Sequence, residues 1–333
     1  MAIITTSIAK SANIINNARQ ASLVCFFDKF RNGGKMAKVY FTKEITPESL
    51  IRIYQALGVE LNGKVAVKVS TGEQGAKGYL KADLVAPFVK SLNGTIVECN
   101  TAYPGERTST KAHRKVAEEH GFTSFAEVDI MDEDGDMKIP VEHGKHLKYD
   151  LIGKHFDNYD SYVNLAHGKG HMMGGFGANL KNQSIGFASR HGKAYIHSAG
   201  HTKSPLLCWK DKHEQIDFIE SMAEAATAVA DYVKSQGKQI VYITVMNAIS
   251  TSCDCDANQD DPVMPDLGIV ASLDPVANDQ AFIDMVWKFA EENPEHEGVK
   301  ALQERIDSRL GREILPYAES LGLGETKYEL VEI

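Results

Sequence analysis

Lys64-Val-Ala-Val-Lys-Val-Ser70, the span Leu80 to Leu92, and Gly94-Thr-Ile-Val-Glu-Cys99 decide the fold. The outer pieces are short β-rich runs and the piece between them reads as a helix, which is the order of a βαβ unit. The same alternation continues outward. Upstream, Ala37 to Phe41 is a strand, and Thr46-Pro-Glu-Ser starts a helix with an N-cap threonine and a first-turn proline, running to Leu57 before Gly58. Downstream come a helix from Ser109 to His120, ended by Gly121, and a strand from Ala126 to Ile130. An acidic turn, Asp132 to Asp136, leads to a hairpin near Met137 to Val141. Strands follow at Ser161 to Leu165, Gln239 to Val245, Leu267 to Ser272 and Tyr328 to Ile333, with helices at Gln215 to Ser235 and Val276 to Glu291. The expectation is an α/β fold: a mostly parallel sheet flanked by helices, Rossmann-like, with the ligand site beyond the carboxyl ends of the strands.

Composition narrows the function classes. The 333 residues are 43% hydrophobic and 24% charged, ordinary for a folded chain, and no apolar run approaches a membrane span. A net charge of −9 disfavours nucleic acid and anionic lipid, so neither is expected as a partner. Five cysteines, Cys25, Cys99, Cys208, Cys253 and Cys255, make an odd count without a secreted disulfide framework, which fits a reducing cytoplasm. Residues 1–35 carry +4 and leave −13 for the remainder. They read as a non-core extension, with Met36 expected as the true start. Residues 36–333 are then one large α/β domain, or two intimately joined lobes of about 36–150 and 151–333.

Chemistry concentrates between His155 and His201, where six of the twelve histidines fall, and eight of the 27 glycines lie within Gly168 to Gly200. The segment follows a strand end. Gly174, Gly175 and Gly177 let backbone amides approach a cofactor, with Asn182 close by in sequence, while His167, His171 and Lys181 supply imidazole and ammonium groups for acid–base work. Cys253-Asp-Cys-Asp, after another strand, offers two thiolates flanked by carboxylates for a borderline metal, with Cys99 or Cys208 available to join them. A third constellation, Asn100 to Thr110, places Thr101, Tyr103 and Arg107 before a helix start, where an anionic substrate would sit.

The string Gly170-His-Met-Met-Gly-Gly-Phe-Gly-Ala-Asn-Leu-Lys-Asn182 resembles the family known as domain of unknown function 362, whose members include proteins labelled iron–sulfur centre proteins. Ile96-Val-Glu-Cys-Asn-Thr-Ala-Tyr103, Cys253-Asp-Cys-Asp256, Pro265-Asp-Leu-Gly-Ile-Val-Ala-Ser272 and Asp274-Pro-Val-Ala-Asn-Asp-Gln-Ala281 extend the resemblance across nearly the whole chain from Met36. Many relatives carry a ferredoxin-like insertion, whereas Gly200 to Glu214 here holds only Cys208, so a built-in pair of [4Fe–4S] clusters is not expected. One segment is also distantly similar to nickel-pincer lactate racemases. That likeness implies a proton shuttle at His171, a cofactor anchor at Lys181 and a metal ligand at His197.

These readings point to a metal- or metal-cofactor-dependent enzyme, an isomerase or oxidoreductase, performing proton or hydride chemistry on a small anionic molecule with nickel or iron. The alternative is an iron–sulfur or other Cys-ligated centre for electron transfer or metal carriage, working with a redox partner protein. The His/Lys/Arg-rich strand-end segment favours the first, since a simple electron carrier has no need of it.

Overall fold

The structure, a computed structural model, describes residues 36–333, so the expectation for residues 1–35 falls outside it. The first elements are β1 (Ala37–Thr42), α1 (Pro47–Ala56), β2 (Val65–Lys68), α2 (Ala82–Ser91), β3 (Thr95–Glu98), α3 (Thr110–Glu119) and β4 (Val128–Ile130). Local chemistry sets their ends. Thr46 caps α1, its Oγ1 accepting from the Ser49 amide at 3.1 Å, and Pro47 fills the first position, where no amide hydrogen is needed. The hairpin is β5 (Asp136–Pro140) with β6 (Tyr149–Gly153), and the chain then re-enters the sheet as β7 (Ser161–His167).

The sheet runs β12-β1-β11-β10-β7-β2-β3-β4, with β10 at Gln239–Met246, β11 at Gly268–Ser272 and β12 at Tyr328–Glu332. Only β11 runs against its neighbours. From β2 the chain winds outward through β3 to β4, then crosses back to lay β7 on the other side of β2, and β10 on β7. The winding direction therefore reverses between β2 and β7. Chains leaving those two strands part in opposite directions, which opens a crevice at their carboxyl ends and confirms the Rossmann-like arrangement.

Two apolar layers hold the sheet. On one face Leu50, Ile53, Val85, Phe88 and Phe122 pack on Val67, Val163 and Val245. On the other, α6 (Gln215–Ser235) and α7 (Pro275–Glu292) contribute Phe218, Met222, Phe282 and Val286. Each fully buried side chain of this size contributes about 1.5–3 kcal/mol. No helix of the described residues is long and apolar enough to cross a membrane.

The glycine-rich segment, which in sequence reads only as following a strand end, folds into a small ribbon, β8 (Lys169–His171) with β9 (Gly175–Gly177), and two helices, α4 (Asn179–Phe187) and α5 (Arg190–His197). Gly175 shows why glycine is needed: its φ is +78°, and an added Cβ would stand 2.8 Å from Gly311 Cα and from the Ile306 carbonyl oxygen. Helix α8 (Glu297–Ser308) thus lies directly against the ribbon.

Candidate functional site

A cavity of about 590 Å³ opens at the crevice between β2 and β7. Its lining draws on the three constellations named in the sequence, Thr101 to Arg107 after β3, His167 to Met173 after β7 and Cys253 to Ala257 after β10, and on a further strand end with Ser70 and Glu73 after β2. Helices α4 and α5 close it with Lys181, Asn182, Lys193 and His197.

One wall is a network of paired charges. Lys68 Nζ donates to Glu98 Oε2 at 2.9 Å and to Asn182 Oδ1 at 3.2 Å. Glu98 Oε1 accepts from the Thr71 amide at 2.9 Å and from Arg107 Nη1 at 3.4 Å. Arg107 also meets Glu73 at 3.4 Å and donates to the Tyr103 hydroxyl at 2.8 Å, which in turn donates to Glu73. Burial alone would raise the Glu98 carboxyl, but Lys68 and Arg107 bring it down to about 2. Asp254 forms a second knot, with His167 Nδ1 at 2.9 Å and Lys169 Nζ at 2.6 Å. Burial opposes its ionisation, and Lys169 and His167 overcome that, holding the carboxyl well below its usual range. Gly186 leaves the room Lys68 needs, since a Cβ there would lie 2.6 Å from Lys68 Cε.

The other wall carries charge without counter-charge. Lys181 makes no hydrogen bond or ion pair through its amine among the described residues, and burial, with Lys169 and Lys68 nearby, lowers it to about 7. Lys193 Nζ donates to the Ala188 and Cys99 carbonyls and meets no carboxylate among the described residues. His197 stacks on Phe218 and packs against Trp209; its Nδ1 is buried without a partner among the described residues, and burial beside Lys181 lowers the ring to about 3.

His171 has a defined tautomer. Its Nδ1 accepts from the amides of Met173 at 3.3 Å and Gly174 at 2.9 Å, so the neutral ring carries its proton on Nε2. Nε2 lies 3.9 Å from Cys255 Sγ. Burial, then Lys181 and His197, keep this imidazole well below its ordinary pKa. Cys253 and Cys255 are joined in a disulfide, their Cα atoms 5.2 Å apart across one intervening residue.

The residues singled out in sequence therefore divide. His171, Lys181, Asn182, His197, Gly177, Thr101, Tyr103, Arg107, Cys99, Cys253 and Cys255 line the cavity together. Gly174 and Gly175 do not; they serve the turn and its packing on α8. His167 lines the cavity but is tied on both edges, to Asp254 and to the Asn247 carbonyl at 2.6 Å, leaving no ring nitrogen free for proton transfer. Arg107 and Tyr103 are engaged with carboxylates of the chain itself, and Thr101 Oγ1 donates to the Tyr103 carbonyl. Donor atoms of His171, Cys253 and Cys255 lie within 4.8 Å of one another, and His197, Cys99 and Cys208 fall outside that group. The Cys99 thiol donates to the Phe187 carbonyl, and burial raises it well above its usual pKa. Cys208 faces the Pro205 carbonyl. Trp209 also lines the cavity, while His155, His191 and His201 sit on separate aspartates, at 2.8, 2.9 and 2.6 Å. Lys68, Glu98, Glu73 and Lys193 carry no motif, the available signal being a lysine and a glutamate inside buried strands β2 and β3, whereas Asp254 reads in sequence as a carboxylate flanking the cysteines.

No curated protein matches the chain. Among solved structures, a protein from Thermotoga maritima is similar with 11% identity and a TM-score of 0.42, covering 76% of this chain. The lactate racemase apoprotein from Thermoanaerobacterium thermosaccharolyticum is similar with 13% identity and a TM-score of 0.35, covering 63%. The chain spans 59% and 51% of their respective lengths. The sequence profile described as Domain of unknown function (DUF362) matches residues 65–284, and the chain belongs to that family.

Proposed function

We propose that the cavity is the active site of an enzyme that moves a proton on a small anionic molecule. The observation that carries this is the pairing of a locked imidazole with an unpaired amine. His171 presents an Nε2 proton, and Lys181, near its midpoint at neutral pH, holds or releases one without breaking any contact. Lys193 and protonated Lys181 attract a carboxylate that the chain itself does not supply. Met172 and Trp209 at the lining help exclude water from the bound molecule.

The metal requirement of this reading depends on the state of the cysteines. As a disulfide they offer a cation nothing; reduced, Cys253 and Cys255 would be thiolates suited to nickel or iron, and His171 could join through Nε2 only in its other tautomer, with the proton on Nδ1 and the two amide bonds given up. Such an ion would supply Lewis acidity beside the bound anion. A second reading, a Cys-ligated centre for electron transfer, draws on the same convergence of three donor atoms. The two are separated by one experiment. Small carboxylates that bind the reduced protein are incubated in D₂O, and deuterium uptake is followed by NMR alongside metal analysis. Acid–base catalysis predicts uptake that falls at least about a hundredfold in Lys181→Met and His171→Gln. Bound metal without any uptake would replace it with the electron-transfer reading.

A further inference from the structure

We infer that the Cys253–Cys255 pair is a thiol–disulfide exchange centre whose substrates are small anionic disulfides and thiols. The inference goes beyond the proton-transfer reading and does not rest on it. The disulfide lies in the cavity wall rather than in the core, with Cys255 half-buried and Cys253 2% exposed. That difference assigns the roles. The accessible Cys255 sulfur exchanges with the incoming molecule, and the enclosed Cys253 sulfur resolves the adduct. His171 Nε2, which carries the ring proton, stands 3.9 Å from Cys255 Sγ and is placed to steady a thiolate there.

The chemistry balances without a further co-reactant. Starting from the dithiol, the Cys255 thiolate attacks one sulfur of RSSR; the Cys255–SR bond forms, the S–S bond of the substrate breaks, and RS⁻ leaves and takes up a proton. The Cys253 thiol then loses its proton and attacks Cys255 Sγ, releasing the second RS⁻, protonated in turn. The substrate gains two electrons and two protons and the chain loses them, ending as the disulfide the structure holds. Excess RSH runs the same steps backward. The preference for anions follows from Lys181 and Lys193, which line the same cavity and have no carboxylate partner among the described residues.

The test uses reduced full-length protein in the presence of a chelator, so that metal binding cannot influence the outcome. Two probes of similar length are compared, dianionic 3,3′-dithiodipropionate and dicationic cystamine. Wild-type chain should release two equivalents of 3-mercaptopropionate and re-form its disulfide, whereas Cys253→Ser should stop at a single adduct mapped to Cys255. The anionic probe should react at least about tenfold faster than the cationic one, with the preference lost in Lys181→Met. Adduct on Cys253, on Cys99 or on Cys208, equal rates for the two probes, or no thiol release from wild type would overturn the assignment. If Cys253→Ser does not fold, the stoichiometry and charge preference of the wild type decide alone. Metal content of the reduced chain, measured separately without chelator, bears on the preceding reading and leaves this one unchanged.

Discussion

Two walls of one cavity hold the same kinds of residue in opposite conditions. Lys68, Arg107 and Lys169 each face a carboxylate from another strand end, while Lys181 and Lys193, on helices α4 and α5, pair with none among the described residues. A buried charge with its counter-charge can be neutral or mildly favourable for the fold, whereas a buried charge without one works against it. The paired wall is therefore framework, holding four strand ends in one register. Under the proposed function the unpaired wall is where a bound anion would supply the counter-charge the chain withholds.

The largest effect should come from breaking the framework. Glu98→Gln leaves Lys68 and Arg107 with one carboxylate, Glu73, between them, and stability should fall by about 3–5 kcal/mol in a denaturant titration. The wild-type acid limb carries the same information. Because the folded carboxyl is lowered from 4.5 to about 2, its contribution is complete above its unfolded pKa and is lost as pH falls through the folded value. Lys181→Met should cost less than about 0.5 kcal/mol or stabilise. A Lys181→Met variant as weak as Glu98→Gln would abolish the distinction between the walls.

A smaller effect tests how the unpaired wall is held up. The amides of Asn179 and Leu180, at the start of α4, donate to Asp279 on α7 at 2.8 and 2.9 Å, and Asn179 Nδ2 reaches Thr244 and Asn278. Asp279→Ala should lower stability by about 2 kcal/mol, since it strips a buried cap, and should weaken anion binding because α4 carries Lys181. Calorimetry on both quantities checks it; binding that survives the stability loss would show that Lys181 is positioned by some other contact.

How far the sequence revealed this division depends on what it encodes locally. The unit β2, α2, β3 is legible to within two residues because buried β-branched runs and caps are local signals. Helix α4 is not, because its buried surface includes Asn179, Gln183 and Ser184 along with Leu180 and Ile185, which erases the apolar stripe a helix normally shows. The unpaired groups His171, Lys181 and His197 stand out as an unusual density in one segment. The paired ones do not, since Lys68 finds Glu98 30 positions away and Lys169 finds Asp254 85 away. Asp254 was visible within Cys253-Asp-Cys-Asp, but its partners are set by topology, and so it reads as a metal flank until the strands are assembled.

Next in size is a pH effect confined to the unpaired wall. With Lys181 lowered to about 7, its amine is charged below that value and neutral above it. Affinity for a small carboxylate should therefore weaken as pH rises through about 7, approaching a tenfold loss per unit at most. Calorimetric titrations between pH 6 and pH 9 measure the slope, and Lys181→Met should flatten it. A slope unchanged in that variant would move the titrating group to the paired wall and invert the assignment of roles.

The smallest effect isolates burial as the variable behind the comparison. Arg52 Nη2 meets Glu44 Oε2 at 3.0 Å, nearly the 2.9 Å separation of Lys68 and Glu98, but with side chains 47% and 66% exposed against 2% and 5%. Water screens the outer pair and solvates either partner once the other is gone, so removing one charge leaves little uncompensated. Glu44→Gln should change stability by less than about 0.5 kcal/mol, and raising salt should shrink even that. Added salt should leave the Glu98→Gln deficit largely intact, because ions do not enter a buried pair. Equal costs at Glu44 and Glu98 would mean that pair geometry rather than desolvation sets the energy, and the unpaired wall would then need no ligand to explain it.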